Sequence, residues 1–401
     1  MTISRLETIT MEREIGLPGL IFVNIYTDDG FIGHGETYYV PGAVEAVIHE
    51  FAGQLLLGAS EMNIAGHWRR MYDLASRFGA RGAEMRAISA IDVALWDIAG
   101  KRANAPVYQL LGGAVRDGVR VYNTCGGPTY GRGSLPAHGR TMGDSKMEDL
   151  TAFLTRPAEL ARELLECGFS AMKIWPFDRY AQENGGAQIS ARDLAAGLEP
   201  FESIRSAVGD RMDIMVEGHG FWSLSAARRI AQALEPIGPV WLEDLTLAYQ
   251  PALLRRLRES TTIDVCASEY LMTRWDYLPV LAAEAADVIM IDPTWCGGIT
   301  EGQKIASLAD TYGLPVSMHD CTGPFTTLAG IHLAASAPNA IYQEVVRAYL
   351  HYVYPQWVDE VPVVVNGAVP LPTRPGLGAD LDPGLSQRPG YRCRVSSVGD
   401  V

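Results

Sequence analysis

Residues 213–222 read DIMVEGHGFW, residues 240–247 read VWLEDLTL and residues 265–270 read VCASEY. Each segment is a short apolar run that ends on a glutamate, and the glutamates Glu217, Glu243 and Glu269 are 26 residues apart. This spacing accommodates one strand, one loop and one crossover helix. The three segments therefore predict consecutive βα units that place a glutamate at the same end of each strand.

The three glutamates predict a metal site. Carboxylates that meet in a buried place repel one another strongly unless a cation lies among them. Ligation by oxygen alone suits Mg²⁺ or Mn²⁺. We therefore predict Glu217, Glu243 and Glu269 as ligands of Mg²⁺, with Mn²⁺ as an alternative.

The alternation of strand and helix extends on both sides of these segments. Strands are predicted at 119–123, 171–175, 213–217, 240–243, 265–269, 288–292, 315–319 and 340–344. Between them lie amphipathic stretches such as PAELARELLECG at 157–168. Eight parallel strands with crossover helices favour an α/β fold of the TIM-barrel type.

The N-terminal part of the sequence does not show this alternation of strands and helices. LIFVNIYTDDGFIGHGETYY at 20–39 predicts two strands joined by an Asp-Asp-Gly turn. A helical stripe follows, formed by Ile88, Ile91, Leu95 and Ile98. We predict an α+β module here, separate from the barrel.

These patterns divide the chain into three parts. The α+β module occupies 1–117, the barrel 118–370, and a turn-rich tail at 371–401 returns to the first module. The Gly- and Pro-rich stretch at 126–147 is predicted as a long loop over the active face of the barrel.

Composition excludes several classes of partner. The net charge of −14 and the lack of a basic cluster argue against nucleic acid. No apolar run approaches the roughly 18 residues of a membrane span, and the charged N-terminus does not resemble a signal peptide. Six cysteines without a CxxC pair are typical of reduced thiols, so we expect a cytoplasmic protein.

Ionisable residues occupy almost every predicted strand end. They are Lys173, Glu217 with His219, Glu243, Glu269, Asp292, His319 and Glu344. A barrel that served only stability would carry ordinary loop residues there. His319 follows Asp292 by 27 residues, so adjacent strand ends bring carboxylate and imidazole together as a general base. If the strand continues past Glu217, His219 points to the same side as that glutamate.

Together with the glutamates, five segments resemble the enolase superfamily, specifically the acid-sugar dehydratases of its mandelate racemase-like branch. They are TDDGFIGHGET, AISAIDVALWDIAGKRANAPVYQLLGG, MIDPTWCGGITE, VSMHDCTGP and PGLGADLD. The resemblance covers essentially the whole chain. It implies a (β/α)₇β barrel under an α+β capping domain built from the N-terminal part and the tail, and homo-oligomeric assembly. Sites of this kind use a Lys or His base, with Mg²⁺ stabilising an ene-diolate.

The resemblance also implies a role for each candidate residue. Glu217, Glu243 and Glu269 match the Mg²⁺ ligands, Asp292 and His319 the pair that removes the proton α to a carboxylate, Glu344 the acid that hydrogen-bonds this carboxylate, and His219 the acid that protonates a departing 3-hydroxyl. The implied reaction converts an aldonate or aldarate to a 2-keto-3-deoxy acid.

Alternatives remain at this point. Racemases of this branch carry Lys-x-Lys on the second strand, whereas this chain has Lys173-Ile174-Trp175. Because Trp175 cannot accept a proton, dehydration is favoured over a racemase, epimerase or cycloisomerase that uses the same ene-diolate. Lys173 either holds the substrate or is structural. A non-catalytic barrel that binds a metal and an acid is the other alternative. Substrate identity is expected to depend on the loops near Leu17 and Tyr38-Tyr39 and on the stretch at 126–147.

Overall fold

The computed structural model describes residues 1–12, 17–128, 130 and 147–400. The strands in these residues are β1 (Ile3–Met11), β2 (Leu20–Thr27), β3 (Ile32–Tyr38), β4 (Gly118–Thr124), β5 (Ala171–Ile174), β6 (Asp213–Glu217), β7 (Trp241–Glu243), β8 (Val265–Ala267), β9 (Val288–Ile291), β10 (Val316–Met318), β11 (Ala340–Val345), β12 (Ala368–Pro370) and β13 (Tyr391–Ser397). The α-helices are α1 (Pro41–Ala46), α2 (Gly53–Leu56), α3 (Ile64–Ala75), α4 (Ala83–Ala103), α5 (Val107–Leu110), α6 (Asp149–Thr155), α7 (Pro157–Glu166), α8 (Asp178–Asn184), α9 (Ala191–Val208), α10 (Leu224–Leu234), α11 (Pro251–Arg258), α12 (Thr273–Ala282), α13 (Gly298–Thr311) and α14 (Pro324–Ser336). Among the helices of these described residues, none combines the length and apolar character needed to cross a membrane.

Eight parallel strands, β4 to β11, form the barrel. Each strand pairs with the next, and β11 pairs with β4, where Glu344 lies opposite Tyr122, so the sheet closes. Helices α6 to α14 lie in the seven connections between these strands, which confirms the expected (β/α)₇β fold. The eight predicted strands are present, but β8 ends at Ala267. Glu269 therefore lies on the following loop, and the prediction of a glutamate at the same point of all three strands is wrong for this residue.

The barrel interior explains why polar residues collect at one rim. Large buried side chains, among them Tyr122, Met215, Trp241 and Tyr342, fill the middle of the barrel. Side chains on a strand alternate between its faces, so the residue two positions later faces the same interior. Seven of the polar residues that lie two positions after an interior residue are Thr124, Lys173, Glu217, Glu243, Asp292, His319 and Glu344. We call these seven residues the polar layer.

The capping domain is built on a four-stranded antiparallel sheet in the order β13-β1-β2-β3, and the predicted hairpin is its β2-β3 pair. Helix α4 packs closely on β3, where a Cβ atom on Gly35 would lie 2.1 Å from the Ala90 carbonyl oxygen. The predicted stripe of α4 is buried, but so are Ser89 and Asp92 outside it. The helix lies between the cap sheet and barrel helix α13. It is therefore buried on two faces, whereas the sequence predicted a single buried stripe.

The tail returns to the cap as expected. Strand β13 pairs antiparallel with β1. Asp380 accepts a hydrogen bond from the Lys101 ammonium group at 2.6 Å, and Asp97 accepts one from the Leu377 backbone N–H at 2.8 Å. The capping domain therefore combines strands from the N-terminal part and from the tail. The domain limits at 117 and 370 stay a prediction.

Substitution of Gly35 tests the close contact between α4 and β3. Gly35→Ala is expected to lower the free energy of unfolding by about 2 kcal/mol or more, because the new methyl group meets backbone that cannot move away. Gly42→Ala is the matched control, since a Cβ atom there meets nothing within 4 Å. Urea denaturation of both variants measures the difference, and equal stability would contradict the packing described.

His332 joins the barrel to the N-terminal part of the chain and to the tail. On α14, its Nδ1 accepts the Tyr108 backbone N–H at 3.2 Å and its Nε2–H donates to the Leu377 carbonyl at 3.1 Å. Burial lowers the pKa of His332 to about 4. An unfolded histidine has a pKa of about 6.5, so between these values the unfolded chain binds more protons than the folded one. The stability contributed by neutral His332 is therefore present above pH 6.5 and lost as the pH falls toward 4.

This linkage predicts a measurable pH dependence. Between pH 7.5 and pH 5.5, His332 is expected to account for a loss of about 1 kcal/mol in the free energy of unfolding. His332→Gln should remove this part of the loss, whereas His351→Gln, at an exposed histidine, should keep it. Urea unfolding at the two pH values gives the comparison. An identical pH dependence in both variants would show that His332 is not the group responsible.

Candidate active site

Lys173 lies at the centre of the polar layer. Its Nζ atom is 2.6 Å from Glu243 Oε1, 3.0 Å from Glu344 Oε1 and 3.3 Å from Glu217 Oε2. Burial alone would lower the pKa of Lys173, but Glu243 and Glu344 outweigh it and hold the pKa well above its usual range. Lys173 is therefore a fixed cation. It also lines the pocket above the barrel, so its position is compatible with both roles left open by the sequence.

Lys173 does not fully offset the cost of ionising Glu243 and Glu269. Glu243 is fully buried and also accepts the Trp241 indole N–H at 2.9 Å. Burial and the neighbouring carboxylates hold its pKa well above the usual range despite the nearby ammonium group. Burial likewise raises the pKa of Glu269, whose Oε2 atom is buried without a hydrogen-bond partner among the described residues.

The carboxylates of this site suit a divalent cation in their chemistry. An unpaired buried oxygen such as Glu269 Oε2 is costly unless a cation or a donor reaches it, and oxygen ligands suit Mg²⁺ or Mn²⁺. In their present positions, however, no three His, Cys, Asp or Glu side chains of the described residues lie close enough to coordinate one ion. The predicted ligand set of Glu217, Glu243 and Glu269 thus fits by donor type and stays a prediction.

Asp292 and His319 lie together, as the spacing predicted. His319 Nδ1 is 2.8 Å from Asp292 Oδ2, while Asp292 Oδ1 accepts the backbone N–H and the hydroxyl of Thr294. The carboxylate therefore takes the Nδ1–H of the ring and leaves Nε2 toward the pocket, 3.7 Å from Glu269 Oε1. Burial lowers the pKa of His319, but Glu269 and Glu344 outweigh it and hold the pKa well above the usual range.

His219 reaches the pocket through a turn of its loop. Strand β6 ends at Glu217, and its Oε1 atom accepts the backbone N–H groups of Gly218 and His219 at 2.9 and 2.6 Å. His219 has a φ of +46°, in the left-handed region. The expectation that a continuing strand directs His219 is therefore wrong, because the chain winds around the Glu217 carboxylate instead.

A second aspartate–histidine pair, Asp178 with His219, was not predicted. The His219 Nδ1 atom is 2.5 Å from Asp178 Oδ2, and both side chains are largely buried. Burial lowers the pKa of His219, but Asp178 and Glu217 outweigh it and raise the pKa to about 9. Asp178 lies at the start of α8, beyond the end of β5. Reading only strand ends missed it, and an acidic residue in a first helical turn is common for another reason, the helix dipole.

Glu344 is held on both carboxylate oxygens. Oε1 accepts hydrogen bonds from the Thr124 hydroxyl and from Lys173, and Oε2 accepts the Asp320 backbone N–H at 3.1 Å. Burial raises the pKa of Glu344, but Lys173 and His319 outweigh it and lower the pKa. An ionised carboxylate cannot donate a hydrogen bond. The implied contact with a substrate carboxylate therefore needs a proton shared between the two groups.

Aromatic side chains form the rest of the pocket lining. They are Tyr38, Tyr39, Tyr130, Trp175, Tyr270 and Trp295, and we call them the aromatic wall. Sequence reasoning identified the loop of Tyr38 and Tyr39 but not the wall as a whole. Leu17, grouped with that loop in the prediction, packs in the hydrophobic core instead. Most of the predicted loop, residues 129 and 131–146, lies outside the described residues.

Arg86 on helix α4 connects the cap to the aromatic wall. Its Nη1 atom donates a hydrogen bond to the Tyr38 carbonyl at 2.9 Å. Its guanidinium carbon lies 4.0 Å from the centre of the Trp295 ring and 5.0 Å from that of Tyr39. The Trp295 ring is in turn 5.0 Å from the His319 ring. Arg86 therefore supports both sides of the wall next to the candidate base.

Comparison with known families accounts for this architecture. Residues 11–112 match the model of the mandelate racemase / muconate lactonizing enzyme N-terminal domain. Residues 156–385 match the model described as enolase C-terminal domain-like. The chain belongs to the mandelate racemase and muconate lactonizing enzyme family. The resemblance inferred from its motifs is thereby confirmed.

Several relatives of this family member are named as sugar-acid dehydratases. It is 31% identical to D-xylonate dehydratase of Haloferax volcanii over 371 residues, which cover 90% of this chain and 83% of the relative. It is 29% identical to arabinonate dehydratase of Saccharolobus solfataricus, with 94% of this chain and 91% of the relative covered. For D-galactonate dehydratase of Variovorax paradoxus the identity is 32%, with 95% and 92% covered.

Solved structures share the complete fold. An enolase protein from the Sargasso Sea environmental genome is 40% identical, with a TM-score of 0.87 and 99% of each chain covered. An enolase of the mandelate racemase subgroup from Agrobacterium tumefaciens is 39% identical, with a TM-score of 0.88 and 100% of each chain covered. The cap and the barrel of this family member therefore occur together in known enolase structures.

The charge balance at Lys173 predicts a coupling between stability and metal. In buffer with EDTA, Lys173→Met is expected to lower the free energy of unfolding by about 3 kcal/mol, because buried carboxylates lose their cationic partner. Saturating Mg²⁺ should restore more stability to this variant than it adds to the wild type, since the carboxylates are then free for the ion. Urea denaturation with EDTA and with Mg²⁺ measures both effects.

Lys304→Met is the control for this experiment. Lys304 is 42% exposed and lies 3.4 Å from Glu301, so its loss should change the stability by about 1 kcal/mol at most. If Lys173→Met were no less stable than Lys304→Met in EDTA, the charge balance described for the polar layer would be wrong.

Proposed function

We propose that this family member removes water from a sugar acid with the aid of Mg²⁺ and forms a 2-keto-3-deoxy acid. The observation that carries the proposal is that two histidines, His319 and His219, each bound at Nδ1 by its own aspartate, line one pocket. Dehydration next to a carboxylate needs a base for one carbon and an acid for the oxygen on the next. The relatives named as xylonate, arabinonate and galactonate dehydratases support this reaction class.

His319 is the proposed base. With Asp292 at Nδ1, the neutral form of the His319 ring presents Nε2 as the acceptor. This atom takes the proton from C2 of the substrate, and the electron pair of the C2–H bond passes into an ene-diolate. Lys173 and His319 Nε2 both lie beside the Glu344 carboxylate, at 3.0 and 3.8 Å. The fixed charge of Lys173 stabilises the negative charge that develops on the substrate carboxylate oxygens. Glu344 orients Lys173 and hydrogen-bonds the substrate carboxylate when one proton is bound between the two carboxyl groups.

His219 is the proposed acid. As the ene-diolate collapses, the C3–O bond breaks, and the proton of His219 Nε2 goes to the departing hydroxyl, which leaves as water. Asp178 stabilises the cationic form of the ring before this transfer. The enol that remains takes up a proton at C3, loses the proton of its C2 hydroxyl and becomes the ketone, while the proton gained by His319 balances the one lost by His219. The substrate and the 2-keto-3-deoxy acid therefore differ by one water molecule and carry the same charge.

Glu217, Glu243 and Glu269 are the residues that would hold the metal. A bound Mg²⁺, or Mn²⁺ in its place, would offset the charge of these carboxylates and of the substrate acid. The excess of carboxylates over cations in the polar layer and the unpaired Oε2 atom of Glu269 support this part of the proposal.

We also propose a cellular location and an oligomeric state for this protein. Its six cysteines are free, which supports work in the reducing cytoplasm. Its membership of the enolase superfamily supports assembly as a homo-oligomer that acts on a small sugar acid.

A substrate screen tests the reaction. C4 to C6 aldonic and aldaric acids are incubated with the protein and Mg²⁺, and keto-acid formation and product mass are measured. We expect one class of acid to lose one water, and EDTA to abolish the reaction. A product of unchanged mass would indicate a racemase, epimerase or cycloisomerase, and ligand binding without turnover would indicate a binding protein.

Substitutions at the two histidines test the division of tasks. His319→Asn should abolish exchange of the C2 proton with deuterated solvent and reduce dehydration by at least about 100-fold. His219→Asn should reduce dehydration similarly but retain C2 exchange. His351→Asn, at an exposed position, is the control and should retain both activities. Normal C2 exchange in His319→Asn would show that the base is another group.

A further inference from the structure

We infer that Asp178 is a positioning residue for the acid of this reaction, so that the site contains two aspartate–histidine units with separate tasks. The inference rests on the proposed dehydration. Asp178 is not among the described residues that line the pocket, whereas His219 is. Asp178 therefore acts on the substrate only through the imidazole.

The contacts of Asp178 indicate that its side chain serves to position His219. The side chain is 6% exposed, and its Oδ2 atom lies 2.5 Å from His219 Nδ1. Its Oδ1 atom is buried and has no hydrogen-bond partner among the described residues. A buried aspartate with a structural role looks different in this protein, since Asp149 binds Arg347 through both oxygens and also accepts from Asn123. A buried carboxylate with one imidazole as its partner is costly to keep for packing alone.

Asp178 determines which imidazole nitrogen of His219 faces the pocket, since the other neighbours of the ring do not. The left-handed backbone at φ +46° fixes where the side chain begins. The Trp175 ring, edge-on at 5.8 Å, and the Phe221 ring, tilted at 5.9 Å, hold the imidazole plane. Neither aromatic ring distinguishes the two nitrogens of the imidazole. Asp178 does so, because a carboxylate accepts a hydrogen bond at Nδ1 and thereby directs Nε2 to the pocket.

The two aspartate–histidine units are built independently. Asp292 lies on the loop after β9 and is held by Thr294, whereas Asp178 begins α8. No hydrogen bond of one unit involves a residue of the other. A substitution at Asp178 should therefore disturb proton donation to the leaving group and spare proton abstraction at C2.

The test measures both steps in one reaction. Asp178→Asn and Asp178→Ala are assayed with Mg²⁺ and the sugar acid found by the screen, in deuterated water. Keto-acid formation reports dehydration, and deuterium at C2 of recovered substrate reports proton abstraction. We expect kcat for dehydration to fall at least about 100-fold in both variants, with KM within about threefold, because an asparagine amide carries no charge to hold the protonated ring in place and alanine leaves the ring orientation unset. Deuterium should still enter C2.

Asp193→Asn is the matched control, since Asp193 also lies in the first turn of a helix but is only half-buried, and its side chain accepts a hydrogen bond from the Ser190 hydroxyl instead of from a histidine. It should leave both rates unchanged. Equal loss of exchange and dehydration in the Asp178 variants, no loss of either, or failure of both variants to fold would overturn this inference while wild-type dehydration stands. A wild type that exchanges C2 but never releases water would overturn the proposed function and this inference together.

Discussion

The structure depends on the burial of one ammonium group among several carboxylates. Lys173 contacts Glu217, Glu243 and Glu344, and through them it joins strands β5, β6, β7 and β11 inside the barrel. Leaving such charges buried and unpaired costs several kcal/mol for each. The lysine pairs with part of this charge. The excess of buried carboxylates that opposes folding is the charge that the proposed divalent ion would offset.

The large interior side chains determine where this charge lies. Tyr122, Trp241 and Tyr342 pack against one another and close the middle of the barrel. Water is therefore excluded from below the polar layer, and electrostatic interactions within it are stronger than at the surface. The histidines stand at the upper edge of this layer, each beside a carboxylate. Folding energy from the apolar layer thus supports a site that would be unfavourable without it.

Much of this arrangement follows from the sequence, because strand periodicity is a strong local signal. The eight barrel strands, the pairing of Asp292 with His319 and the location of Lys173 and Glu344 at one rim all follow from apolar runs that end on ionisable residues. The other features of the site depend on loops and on contacts between domains. These leave no periodic pattern in the sequence. Asp178 lies beyond its strand on a helix start, and Glu269 lies beyond β8. The aromatic wall combines residues from the cap and from several barrel loops, so no single segment of sequence reveals it.

The position of Arg86 has a consequence for how this family member can diverge. Its guanidinium group lies beside Tyr39 of the cap and Trp295 of the barrel, and Trp295 is a neighbour of His319. In many barrels the chemistry and the selection of ligands evolve separately, since they lie on different loops. Here a mutation that reshapes the cap side of the wall also shifts the environment of the imidazole beneath it. Adaptation to a new acid would thus require paired changes in both domains, which narrows the routes open to evolution.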